Sequence, residues 1–154
     1  MARRARRSEL KSTSGSEALA DPSQALGMSM LRAREIVVAP VRQVLRLHDL
    51  SEQQWRILRV LCGEPSLNAT TLAQRTVLLL PSLSRILIDL EQRGLVQKLA
   101  PAGSRRPNIS ITAKGRGLVA AVFPKVHRAQ QPIRDRVGPT NIAMLLKLLH
   151  RFSQ

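Results

Sequence analysis

The middle of the chain contains two short amphipathic segments close together, followed at once by two short alternating segments. Asn68 is a suitable N-cap for a short helix that continues to Arg75. A brief apolar connection, residues 76–80, leads into a second helix in which Pro81 occupies the first turn. Two short helices joined so tightly predict a helix-turn-helix.

The second of these helices, residues 81–93, has distinct apolar and polar faces. Three- and four-residue spacing groups its apolar residues on one side, namely Leu83, Ile86, Leu87 and Leu90. The opposite side carries hydroxyl, charged and amide residues, namely Ser82, Ser84, Arg85, Asp89 and Gln92. Such groups hydrogen-bond base edges and phosphates in the major groove. We therefore expect this helix to contact DNA, with Arg85 as the main base-contacting residue. The expected DNA contacts on the helix are Pro81, Ser82, Ser84, Arg85 and Asp89.

Two alternating segments after Gly94, residues 95–99 and 108–111, predict a β-hairpin. The loop between them contains Gly103, Arg105 and Arg106. Guanidinium groups are favoured in narrow minor grooves, so Arg105 and Arg106 are expected to bind DNA beside the helix-turn-helix. For a hairpin alone, a solvated basic turn is the simpler interpretation. The predicted fold is mainly α with a small β-hairpin wing (α+β), a winged helix-turn-helix over residues 51–112.

The flanking segments are helical as well. Apolar residues recur at helical spacing over residues 26–47, where Pro40 predicts a kink. Ser51 and Gln54 form a capping-box pair that begins another helix, with a predicted buried stripe of Trp55, Leu58, Leu61 and Cys62. Thr112 is a suitable cap for a helix containing Leu118, Val119, Val122 and Val126, and a last helix follows Gly138 and Pro139.

Length and composition predict one domain, residues 26–154, behind a flexible basic tail, residues 1–25. The tail is either an arm that contacts phosphates or a solvated leader. Lys and Arg outnumber Asp and Glu by 25 to 10, which favours an anionic partner. With only one Trp, two Phe and no Tyr, base stacking on single strands is disfavoured, and double-stranded DNA is the expected partner.

A single cysteine excludes an internal disulfide and a cysteine-rich zinc site. No apolar run is long enough to span a bilayer, so we expect a soluble cytoplasmic protein with no membrane partner. Neither a phosphate-binding glycine loop nor a catalytic spacing of His48, His127 and His150 is present. We expect no enzyme activity, no metal and no cofactor.

Several motifs together resemble the MarR family of bacterial transcription regulators. They are Leu72-Ala73, residues 81–87 (PSLSRIL), Leu90-Glu91, Gly94-Leu95-Val96 and residues 109–112 (ISIT) with Gly115. Residues 30–35 (MLRARE) and 48–57 (HDLSEQQWRI) further resemble the family's repressors of homoprotocatechuate degradation operons.

The resemblance implies a two-fold homodimer held by its terminal helices, residues 26–47 and 113–153, on a pseudo-palindromic operator. It also implies repression that is relieved by a small aromatic acid, such as homoprotocatechuate or a related phenolic acid. By analogy the effector site would include Arg34, His48, Trp55 and Arg59. Each has an ordinary structural alternative: Trp55 as core, His48 at a helix end, and the two arginines in ion pairs across a dimer.

The sequence departs from the family pattern at two places. Gly103 stands where the wing usually has an aspartate that orients its arginine, and Pro124 and Pro132 predict interruptions in the helix after Thr112. Two other functions remain open at this point. One is non-specific binding of nucleic acid by a basic protein, and the other is redox sensing through Cys62, although a buried thiol would be inert.

Overall fold

In the computed structural model, the described residues are 22–64, 66–99 and 107–152. They form seven helices and three short strands, which confirms the predicted mainly helical fold with a small hairpin. In chain order the elements are α1 (Pro22–Arg46), α2 (Glu52–Gly63), β1 (Leu67–Asn68), α3 (Ala69–Thr76), α4 (Leu80–Gln92), β2 (Val96–Leu99), β3 (Asn108–Ile111), α5 (Ala113–Ala129), α6 (Gln131–Val137) and α7 (Pro139–Arg151).

The chain divides into two compact units, Met1–Val38 and Ala39–Gln154. In the first unit the described residues, 22–38, belong to α1, which begins at Pro22, four residues before the predicted start. This part of α1 carries several exposed large apolar side chains, namely Leu26, Met28, Met30, Leu31, Ile36 and Val37. The helix continues through Pro40 to Arg46.

The second unit contains a hydrophobic core to which α2 is central. Its start is the predicted capping box: the Gln54 amide donates to Ser51 Oγ at 3.1 Å, and the Ser51 amide donates to Gln54 Oε1 at 2.7 Å. Four residues of α2 are buried, namely Trp55, Ile57, Leu58 and Leu61. The predicted burial of Cys62 is wrong, because Cys62 is exposed. Cys62 shares the face of Trp55 and Leu58, so its exposure comes from its place in the last turn of α2, where packing against that face ends.

The helix-turn-helix is confirmed, with α3 and α4 joined by residues 77–79. Asn68 Oδ1 accepts from the Thr71 amide at 2.9 Å and caps α3, as predicted. Val77 ends α3 in the left-handed conformation with φ of 52°. Three residues on the predicted apolar face of α4 are buried, namely Leu83, Leu87 and Leu90, and Gly94 follows the helix with φ of 67°.

The hairpin is also confirmed: Val96 pairs with Ile111 and Leu99 with Asn108 in an antiparallel register. No sequence pattern indicated β1, which pairs with β3 through Leu67 and Ile109, so that the sheet order is β1-β3-β2. Two residues are too few for an alternating pattern to be recognised.

Thr112 caps α5 as predicted, since its Oγ accepts from the Gly115 amide at 3.0 Å. A kink or break was expected at Pro124, and the structure has no break there, because α5 continues through it to Ala129. A proline removes one helical hydrogen bond, and surrounding packing can tolerate that loss. α5 ends at Ala129 with Gln130 as its C-cap, and Pro132 lies in the first turn of the separate helix α6, so the break expected at Pro132 is confirmed.

Candidate nucleic-acid interface

The outward face of α4 carries most of the predicted DNA contacts. Pro81, Ser84 and Arg85 are exposed, and Ser82 is half-buried. The buried residues of α4 fasten the opposite face to the core, so the exposed residues project from a rigid helix. This is the geometry in which a helix can enter the major groove.

Arg85 forms no hydrogen bond or ion pair with the part of the chain that the structure describes. Its guanidinium group is therefore available to a ligand. Two parallel N–H donors of an arginine match O6 and N7 of guanine.

Ser84 differs from Arg85 because its hydroxyl already has a partner. Ser84 Oγ donates to the Leu80 carbonyl oxygen, one turn earlier, at 2.9 Å. Its lone pairs remain available, so in this rotamer Ser84 can accept from the amino group of adenine or cytosine.

Asp89 faces α2 and is half-buried. Its Oδ2 accepts from Gln54 Nε2 at 2.6 Å and lies 3.6 Å from Arg93 Nη1. Because Gln54 is also part of the α2 capping box, this carboxylate links α4 to the first turn of α2. The structure thus brings Asp89 into a supporting contact within the protein.

Ile88 is an outward residue that the sequence analysis missed. It is 52% exposed and lies one helical turn beyond Ser84 and Arg85. The sequence signal for its exposure was that residue 88 does not share the helix face formed by the apolar residues 83, 86, 87 and 90.

A groove of about 750 Å³ lies between the first turn of α3, α4 and the hairpin. Its lining includes six polar residues, namely Asn68, Thr70, Thr71, Ser84, Lys98 and Asn108. Lys98 Nζ donates to Glu91 Oε2 at 2.7 Å. Hydroxyl, amide and ammonium groups of this kind bind the sugar-phosphate backbone, and the sequence analysis had not singled out Thr70, Thr71 or Lys98.

The predicted wing residues Arg105 and Arg106 lie outside the described residues, as does Gly103. The strands on either side of them, β2 and β3, are described, and each contributes a residue to the groove, Lys98 from β2 and Asn108 from β3.

Of the four predicted effector residues, Arg34 belongs to the first unit and is exposed. Trp55 and Arg59 lie one turn apart on the same side of α2, with Trp55 5% exposed and Arg59 on the surface. The guanidinium carbon of Arg59 lies 5.1 Å from the centroid of the Phe123 ring of α5. Phe123 is thus a candidate effector residue that the sequence analysis missed, because only folding brings it to α2.

His48 lies in the turn after α1 and contacts α5 at a different residue, Lys125. Its Nε2 is 3.0 Å from Lys125 Nζ. Residues 123 and 125 are about 200° apart around a helix, so Arg59 and His48 meet opposite flanks of α5. The structure does not bring these two predicted residues together.

The surroundings of the Cys62 thiol raise its pKa. Partial burial raises its pKa, and the nearby charges of Arg116 and Arg59 oppose that effect without cancelling it. Reactive cysteines have a lowered pKa, so this environment is unlike that of a thiol sensor.

No helix within the described ranges has the length and apolar character needed to cross a membrane. Among the same residues, no three His, Cys, Asp or Glu side chains are grouped so that they could bind a metal ion.

Comparison with known proteins agrees with this geometry. Residues 48–107 match the model of the MarR family. The chain is 35% identical over 128 residues to the homoprotocatechuate degradative operon repressor of Escherichia coli, a match that covers 82% of this chain and 86% of the relative.

Two solved structures are similar over most of their length. NadR in complex with 4-hydroxyphenylacetate has a TM-score of 0.75 and 31% sequence identity, with 84% of this chain and 92% of NadR covered. The transcriptional repressor CouR bound to a 23-mer DNA duplex has a TM-score of 0.77 and 27% identity, with 86% of this chain and 94% of CouR covered.

Proposed function

Because the chain belongs to the MarR family of transcriptional regulators, we propose that it acts in the cytoplasm as a homodimeric repressor of an operon for aromatic-acid catabolism. It binds a pseudo-palindromic operator and is released by a small phenolic acid. The observation that carries the proposal is the exposed face of α4, on which Pro81, Ser84 and Arg85 project from a helix that the core holds from behind.

Operator recognition is assigned to α4, with Arg85 reading a base edge. Hydroxyl and amide groups of the groove beside α4 contact the phosphates of the same half-site. Arg105 and Arg106 are proposed to reach the adjacent minor groove.

The Arg85→Ala variant tests this assignment. A duplex selected from a random library by the wild-type protein is compared with a scrambled duplex at fixed salt, by fluorescence anisotropy. Loss of a bidentate base contact is expected to reduce discrimination by about 1–3 kcal/mol.

The matched control is Arg128→Ala, which removes the same charge from an exposed position at the end of α5. It is expected to leave the ratio of the two affinities unchanged. Wild-type protein that binds both duplexes equally well would reject operator recognition and favour a non-specific basic nucleic-acid-binding protein.

We propose that a second copy of the chain packs against the exposed apolar residues of the terminal helices. In α7 these are Met144, Leu145, Leu146 and Leu148, with Phe152 just beyond the helix. Apolar side chains in such number along one helix typically mark a protein interface. A two-fold dimer would place two α4 helices about 34 Å apart, one turn of B-DNA.

Sedimentation equilibrium tests the dimer. Wild-type protein is expected to have twice the mass of one chain, and Leu146→Glu is expected to weaken the association. Lys147→Glu, an exposed change on the next residue, is the control. A wild-type monomer at micromolar concentration would contradict the dimer.

The proposed effector is an aromatic ring with a carboxylate. Its carboxylate would pair with Arg59 while its ring packs beside Phe123 and Trp55. The name of the E. coli relative and the 4-hydroxyphenylacetate bound to NadR support an acid of this class. Arg34, in the first unit, is a separate predicted contact.

Effector binding is tested by calorimetry with 4-hydroxyphenylacetate and homoprotocatechuate. Arg59→Met keeps the alkyl stem beside Phe123 but removes the charge, so affinity is expected to fall about 10-fold or more. Arg128→Met, the matched control for Arg59→Met, is expected to bind the acids as tightly as wild type. Arg34→Ala is expected to abolish ligand-induced release from the operator and to preserve operator binding. Unchanged affinity in Arg59→Met would remove Arg59 from the site.

A further inference from the structure

We infer that Ile88 selects thymine in the operator, through van der Waals contact with the thymine C5-methyl group. The inference rests on the proposed function, since it requires α4 to lie in the major groove. It assigns a specificity-determining role to a residue whose side chain has no polar atom.

The position of Ile88 on α4 is the first argument. Around the helix, Leu83, Leu87 and Leu90 face the core, and Ile88 lies on the outward side between Ser84 and Gln92. It is 52% exposed although it is a large apolar residue. Single exposed apolar residues are common on protein surfaces, so exposure alone would signify little.

The neighbours of Ile88 provide the second argument. Along the helix axis it lies about 4.5 Å beyond Arg85. That distance is comparable to the rise of one base pair, about 3.4 Å. If Arg85 reads one base pair, Ile88 therefore meets an adjacent one. Ile88 also lines the groove of about 750 Å³ with Ser84 and Lys98, where a DNA strand is proposed to lie.

The chemistry of the major groove identifies the target. Thymine is the only unmodified base that presents a methyl group there, whereas adenine, guanine and cytosine present hydrogen-bonding groups at the corresponding edge. A branched alkyl side chain would leave those polar groups unpaired and out of water. Because isoleucine has one strongly preferred χ1 rotamer in a helix, little conformational freedom is lost on contact.

The test is a double-mutant cycle between the protein and the DNA. In the duplex selected by the wild-type protein, each thymine of one half-site is replaced in turn by uracil, which removes only the C5-methyl group. At one thymine the wild-type affinity is expected to fall about 4-fold, the value for one buried methyl group. The Ile88→Ala variant is expected to lose affinity for the thymine duplex and to show no further loss with uracil at that position.

Gln92→Ala provides the matched control, because Gln92 is exposed on the same side of α4 one turn further on. It is expected to keep the full 4-fold sensitivity to uracil. Ile88→Thr, which retains one methyl group, is expected to give intermediate sensitivity. Because Ile88 is exposed, its substitutions are expected to leave the fold intact, and thermal unfolding checks this.

The outcomes separate this inference from the proposed function. If wild-type protein does not distinguish the selected from the scrambled duplex, the proposed function fails. If it distinguishes them but no thymine within one base pair of the Arg85-dependent position responds to uracil, Ile88 has no such role and operator recognition stands. Equal uracil sensitivity in wild type and Ile88→Ala would overturn the inference as well.

Discussion

Replacement of Gly115 by alanine is expected to destabilise the protein strongly, because α5 crosses the hairpin at this residue. A Cβ atom added at Gly115 would lie 2.2 Å from the Leu95 carbonyl oxygen and 2.7 Å from Ile111 Cγ1. Favourable contacts between heavy atoms lie near 3.5–4.0 Å, so the new methyl group would have to move by about 1 Å or more.

The Leu95 carbonyl cannot move without further loss. It accepts from the Thr112 amide at 3.1 Å and from Thr112 Oγ at 3.2 Å, and Thr112 also caps α5 through the Gly115 amide. Overpacking costs about 1–3 kcal/mol, and a weakened hydrogen bond adds about 1 kcal/mol. We expect Gly115→Ala to lower the free energy of unfolding by about 2–4 kcal/mol.

Gly117 provides the control within the same helix. It is exposed, and no atom outside its own neighbourhood lies within 4 Å of a Cβ added there. Alanine is a better helix former than glycine, so Gly117→Ala is expected to stabilise the protein by about 0.5–1 kcal/mol. The same chemical change, two residues apart, should therefore have opposite signs.

Urea unfolding followed by circular dichroism measures both effects, at one fixed protein concentration because a dimer's stability depends on it. If Gly115→Ala were as stable as wild type, the close packing of α5 on Leu95 and Ile111 would be refuted.

Four further predictions concern single side chains. Val77 adopts a positive φ at 81% exposure, so Val77→Asn should stabilise the protein by about 1 kcal/mol. Leu47→Asn, at 82% exposure and without a positive φ, should not stabilise it, and thermal unfolding compares the two variants. Ser51→Ala removes the α2 cap and should cost about 1 kcal/mol in urea unfolding. Ser110→Ala should cost no stability, because the buried Ser110 Oγ has no hydrogen-bond partner within the described chain. An equal loss of stability in Ser51→Ala and Ser110→Ala would contradict this reasoning. Because partial burial raises the pKa of Cys62, its alkylation rate should increase with pH at a higher midpoint than in an unstructured peptide. A midpoint below that of the peptide would indicate a reactive thiol instead.

Much of the architecture could be predicted because its signals are local. Ser51, Asn68 and Thr112 cap helices through amides three residues away, and the structure contains all three caps. The spacing of apolar residues located the core face of α4, and alternation located the hairpin. The predicted family is confirmed, and with it the expectation of a regulator rather than an enzyme.

The candidate sites were less predictable, because their geometry depends on residues far apart in the chain. Asp89 was assigned to DNA by its place on a polar face, but its carboxylate meets Gln54, 35 residues earlier. Cys62 was assigned to the core by helical spacing alone, which does not reveal where the core ends along a helix.

The sequence by itself determined where α2, α3 and α5 begin, which face of α4 is apolar, and that two short helices precede a hairpin. Hydrogen bonds and side-chain periodicity within a few residues decide these features. The tertiary structure decided which surface residues meet. It placed Arg59 against Phe123 and His48 against Lys125 on opposite flanks of α5. It also added β1 to the hairpin and made residue 115 a site for glycine alone. Such contacts depend on how separate elements pack, which no short stretch of sequence encodes.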